Sequence, residues 1–121
     1  MDTRVCRAVA HMRERLGQRL TIAELAGVAL LSPYHFVRVF RREVGRTPHR
    51  HLTLLRVREA QRLLEQGLPV TAVAAHCGFS GTPHFSAVFL RHTGLRPSRW
   101  PAHALSGGEV PCGRSPRRAR G

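Results

Sequence analysis

Tyr34, Val37, Arg38 and Arg41 stand at spacings i, i+3, i+4 and i+7, which puts them on one face of a helix. That mixture suits the edges of base pairs. A guanidinium such as that of Arg38 can donate two parallel hydrogen bonds to O6 and N7 of guanine, while Tyr34 and Val37 offer apolar contact to a thymine methyl. A second set follows on a later helix, with Pro83, Ala87, Leu90 and Arg91 outward, flanked by His84. Its chemistry is poorer, because Arg91 is the one strong donor and lies late in the helix. The second helix is therefore expected mostly to position the protein, with methyl contact through Ala87, and sequence reading falls mainly on Tyr34, Val37 and Arg38. Leu90, if exposed, suits a protein partner instead. The rival account of the first face is the solvated side of an ordinary bundle helix.

The elements that must hold these residues are legible in the caps and in the apolar spacing. Residues 4–16 form a first helical stretch with Val5, Val9, Met12 and Leu16 inward, closed by Gly17. Thr21 and Glu24 form a capping box before Ile22, Leu25, Ala26 and Ala29. Ser32 caps the next helix with Pro33 in its first position, and Gly45 stops it. A long helix over 48–66 buries Leu52, Leu55, Ala60, Leu63 and Leu64 and spans roughly 27 Å. A short helix over Val70 to His76 turns at Gly78. Ser80 is expected to cap the last strong helix, which ends near Thr93 before Gly94, with a brief turn around Ser98 to Trp100.

The pattern is duplicated. Ile22, Leu25, Ala26, Leu31 and Ser32 return 48 positions on as Val70, Val73, Ala74, Phe79 and Ser80. His35, Phe36, Val39, Phe40, Gly45 and Pro48 return 49 positions on as His84, Phe85, Val88, Phe89, Gly94 and Pro97, so the second copy carries one extra residue at its turn. The fold read from this is all-α: two helix-turn-helix modules, at about 21–45 and 69–94, joined by the helix at 48–66. They make one domain over 1–100, and the Gly-, Pro-, Ser- and Arg-rich stretch 101–121 reads as a disordered basic tail.

Charge points the same way. The chain of 121 residues carries a formal charge of +13, and all 20 of its Lys+Arg residues are arginine. Such an excess favours a polyanionic partner. Arg41, Arg42, Arg46 and Arg50 make a basic string suited to phosphates, joined by Arg91 and by His35 and His84 at the starts of the two reading helices. A histidine in such a position more often packs and hydrogen-bonds locally. Cys6, Cys77 and Cys112 are far apart and lack C-x-x-C spacing, so neither a disulfide framework nor a zinc site is implied. His76 beside Cys77 has no second pair to complete a metal site, and Cys77 reads as a small packing residue. No paired carboxylates, Ser-His-Asp set or phosphate loop is present, which argues against an enzyme. No apolar run approaches a membrane span of ~20 residues and no signal-peptide core is seen, so a cytoplasmic location is expected.

These residues together resemble the DNA-binding domain of the AraC/XylS family of bacterial transcription regulators, over roughly residues 4–100. The second module carries the most specific match, in Ala74, Gly78-Phe79-Ser80, Phe85, Phe89, Gly94 and Pro97-Ser98. Leu25-Ala26, Ser32, Phe40, Gly45, Pro48, Arg56, Ala60 and Leu63-Leu64 fit the first half. The resemblance implies two lobes, a rigid linker helix, and two reading helices entering successive major grooves of double-stranded DNA about 34 Å apart. By position it assigns base reading to Tyr34, Val37 and Arg38 and to Thr82, Pro83 and Ala87. Leu30 stands where the family favours glycine, so a strained or altered turn is expected there. Ala87 stands where arginine is frequent. The chain's length fits a small stand-alone member or a fragment of a longer regulator. The reading that results is a sequence-specific transcription regulator, an activator by preference, with double-stranded DNA and RNA polymerase as its expected partners and without cofactor or small-molecule ligand. Its alternative is a basic helical protein-interaction module with weak non-specific DNA binding.

Overall fold

Asp2 opens the first helix: its carboxylate accepts from the Arg4 amide at 2.8 Å, and α1 runs Thr3–Glu14. The computed structural model describes residues 1–101; most of the tail expected at 101–121 lies outside the described residues. Within them the secondary structure is six α-helices and one 3₁₀ turn. After α1 come α2 (Ile22–Ala29), α3 (Pro33–Val44), α4 (Pro48–Glu65), α5 (Val70–His76) and α6 (Thr82–Thr93), then the 3₁₀ turn Pro97–Arg99. None of the described helices is long and apolar enough to cross a membrane.

The chain divides into two compact units, Met1–Leu55 and Arg56 onward, with the boundary inside α4. The first unit buries Val5, Ala8 and Met12 of α1 against Leu25, Ala26 and Ala29 of α2 and Phe36, Val39 and Phe40 of α3. Leu52 and Leu55, from the first half of α4, close that core. The second unit is built alike, from Val73, Ala74, Cys77, Phe79, Phe85, Val88 and Phe89, closed by Val57, Ala60, Leu63 and Leu64 from the second half of α4. One helix thus supplies a wall to each core, which explains the apolar spacing it sustains along its length.

The turns that set α3 against α2 and α6 against α5 share one hydrogen-bond pattern. In the first, Leu31 N–H donates to Ala26 C=O at 3.0 Å and Leu30 N–H to Gly27 C=O at 3.1 Å. In the second, Phe79 N–H donates to Ala74 C=O at 3.0 Å and Gly78 N–H to Ala75 C=O at 3.2 Å. Both are Schellman closures, which place the residue after the helix in the left-handed region. Gly78 meets that demand at φ 85°, and Leu30 meets it at φ 60°, the one non-glycine positive φ among the described residues. The turn keeps its shape, and the bulkier residue bears the strain in its own backbone.

Three local expectations change. Ser80 does not cap α6. The extra residue in the second copy makes Gly81 the N-cap, without a side-chain bond, and Ser80 Oγ instead meets His84 Nδ1 at 3.2 Å. The Thr21 capping box is half formed: Thr21 Oγ1 accepts from the Glu24 amide at 3.0 Å, while the Glu24 carboxylate turns to His11 Nε2 at 2.6 Å and ties α2 to α1. Trp100, expected only as part of a short turn, is a core residue. Its ring stands edge-on to Phe89, and Nε1 donates to Glu65 Oε2 at 2.9 Å.

Candidate nucleic-acid interface

The first reading face is built by the packing of α3. Ser32 Oγ accepts from the His35 amide at 3.2 Å, Pro33 takes the first helical position, and Gly45 closes the helix at φ 89°. Phe36, Val39 and Phe40 are drawn into the core, which turns Tyr34, Arg38 and Arg41 outward. Tyr34 is 73% exposed, so both its ring face and its hydroxyl are open on this side of the helix. Arg38 lies one turn along: its Nη1 donates to the Tyr34 hydroxyl at 3.4 Å, and its guanidinium carbon is 5.7 Å from the ring centroid. This cation–π pairing draws the guanidinium to one side of the helix face. Val37 is half-buried and packs against the core of its unit, so it presents an edge rather than a whole side chain.

The expected phosphate set differs residue by residue. Arg41, Arg42 and Arg50 are exposed, and Arg42 makes one long ion pair to Glu43 at 3.8 Å. Arg46 is half-buried and approaches His51 Nδ1 at 3.1 Å, so part of its guanidinium is already engaged. His35 is exposed. The His84 ring is engaged by Ser80 and stands edge-on to Phe79 at 5.6 Å, the local role that histidines often take. On α6, Pro83, Ala87 and Arg91 are exposed and Thr82 is half-buried. Arg96 and Arg99, which the spacing argument omitted, are exposed on the segment directly after α6. Their signal was present as charge around Pro97, without helical periodicity to mark it.

Cys77 has no exposed surface, and burial, aided by nearby Glu59, pushes its thiol up to about 11. A thiol so held is not ionised at neutral pH and is a poor nucleophile or metal ligand. Among the described residues no group of three or more His, Cys, Asp or Glu side chains is arranged to hold a metal ion.

Two copies of a helix-turn-helix, each offering a helix face on a basic scaffold, define a duplicated DNA-binding architecture. The family model described as a helix-turn-helix domain matches residues 25–103, and the chain belongs to this AraC-type family of transcription regulators. It carries the family's DNA-binding domain, and the family's activity is regulatory rather than enzymatic. The chain is 40% identical over 89 residues to an HTH-type transcriptional regulator of Mycobacterium tuberculosis, covering 73% of this chain and 34% of that protein. It is 40% identical over 62 residues to the HTH-type transcriptional activator RhaR of Escherichia coli, covering 50% and 22% of the two. It therefore spans about a third or less of these relatives. Among solved structures, an AraC-type regulator from Chromobacterium violaceum matches with TM-score 0.82 at 26% identity, covering 88% of this chain and 96% of that one. The DNA-binding domain of AdpA, solved in complex with a target DNA, matches with TM-score 0.79 at 33% identity, covering 85% and 94%.

Proposed function

We propose that this chain is a sequence-specific DNA-binding transcription activator that reads two adjacent major grooves of double-stranded DNA with α3 and α6. The observation that carries the reading is the outward Tyr34–Arg38 pair on a helix whose turn is repeated, bond for bond, in the second unit. Base reading on α3 belongs to Tyr34, Arg38 and the edge of Val37, and on α6 to Thr82, Pro83 and Ala87. Arg41, Arg42, Arg50 and Arg91 take phosphates, with lesser shares for Arg46, His35 and His84. The complex of AdpA with its target DNA supports the choice of partner. The name of RhaR, a transcriptional activator, supports activation; contact with RNA polymerase in the cytoplasm belongs to the same proposal.

A gel shift tests the core of this reading. A duplex selected from a random pool should stay bound under a large excess of random competitor, and equal competition would overturn the proposal. Footprinting should show two protected segments about one helical turn apart on one DNA face. A reporter driven from the selected site should rise when the protein is supplied. Leu90, 39% exposed, favours a second reading, in which α6 docks on a protein and DNA contact is weak and non-specific. The same competition experiment separates the two.

A further inference from the structure

We infer that α6 recognises its half-site through thymine methyl groups rather than through base hydrogen bonds, an inference that rests on the DNA-binding reading above. The duplication aligns Tyr34, Val37, Arg38 and Arg41 of α3 with Pro83, Ser86, Ala87 and Leu90 of α6. Where α3 presents a phenol and two guanidinium groups, α6 therefore presents three side chains with no donor or acceptor. Pro83, Ala87 and Leu90 are all exposed, and at i, i+4 and i+7 they form one stripe. Ser86 is half-buried, and a serine hydroxyl accepts or donates and so discriminates little between bases. The polar groups at the helix start are sheltered or engaged, Thr82 half-buried and His84 bonded to Ser80.

An apolar stripe in the major groove is selective in its own way. Set against the amino, carbonyl or N7 groups of a base edge, it strips water from them and returns no hydrogen bond, which is unfavourable. Set against the C5 methyl of thymine, the one apolar group on that edge, it gains apolar contact. The surroundings favour a nucleic acid. Arg91 follows Leu90 directly, Arg96 and Arg99 are exposed just beyond, and no acidic residue occurs between Glu65 and Glu109. A stable protein interface needs about 800 Å² from each partner. One proline, one alanine and a leucine that is 39% exposed fall far short of that.

The test uses the full chain and a duplex selected from a random pool, with affinity read by fluorescence anisotropy. Replacing thymines of the α6 half-site by deoxyuridine deletes only the methyl groups and should weaken binding roughly four-fold per contacted methyl. Replacing a contacted T·A pair by 5-methylcytosine·G should retain most of the affinity, while unmethylated C·G should lose it. Leu90→Ala should abolish the deoxyuridine effect at one position and leave the α3 half-site unchanged. If no duplex is selected over random DNA, the DNA-binding reading fails and this inference with it. If a duplex is selected but its α6 half-site is random, or indifferent to deoxyuridine, this inference alone fails. Indifference to deoxyuridine together with loss of reporter activation in Leu90→Ala would assign the stripe to a protein partner.

Discussion

Arg38 leans on Tyr34 before any DNA is present, so less side-chain freedom is lost when the guanidinium engages a base. Arg38→Ala should cost ~1–3 kcal/mol on the preferred duplex and relax selection at one base pair. Equal loss on every sequence would show that Arg38 touches only phosphate. Leu30 holds a left-handed backbone that disfavours a β-carbon by about 1–2 kcal/mol. Leu30→Gly should therefore raise stability by about 1 kcal/mol, less than the full relief because glycine is freer in the unfolded chain; urea denaturation checks this. Cys6 is exposed and Cys77 buried, so iodoacetamide at mildly alkaline pH should label Cys6 quickly and spare Cys77 until the second unit opens. The Cys77 thiol rises from 9.0 to about 11 on folding, so the neutral form is favoured in the native state. Its contribution is whole below pH 9 and fades as pH rises from there toward 11, and chemical denaturation across that range should record the decline.

The helices differ in how they begin. Ser32 caps α3 through its hydroxyl, whereas α6 starts at Gly81 with no side-chain cap. Ser32→Ala should cost about 1 kcal/mol and speed amide exchange in the first turn of α3, while Ser80→Ala should leave the cap of α6 unaltered. If both substitutions raised exchange alike, the assignment of Gly81 as the cap would be wrong. At the other end of the second unit, Trp100 is 7% exposed against Phe89 and anchored on Glu65. Trp100→Ala should destabilise that unit by ~3–5 kcal/mol, which would be seen as early loss of protection in α6 while α1 and α2 stay protected. The segment after the last long helix is thus part of a core.

For the molecule as a whole, charge governs affinity and its dependence on salt. With +13 formal charges, the logarithm of the binding constant should fall linearly with the logarithm of salt concentration, by about 0.9 for each phosphate neutralised. Arg42→Ala should lower that slope by about one and weaken all sequences alike, and an unchanged slope would remove Arg42 from the phosphate set. Much of this architecture can be read along the chain, because a helix is specified by neighbours within about four residues: the Ser32 cap and the periods that bury Phe36, Val39 and Phe40 and expose Tyr34 and Arg38 are plain there, whereas the Asp2 cap emerges only in the structure. The strain at Leu30 is expected from the family resemblance, whose pattern favours glycine there, and the structure shows it as a positive φ. Contacts between residues distant in sequence were not legible. No local rule says that Glu65 will receive the indole of Trp100 or that Glu24 will leave its capping box for His11. Val37 sits on the border of core and surface, where spacing cannot decide how much of a side chain its neighbours cover. Those outcomes depend on which groups meet when separate helices pack, and a pattern of nearest neighbours carries no information about that meeting.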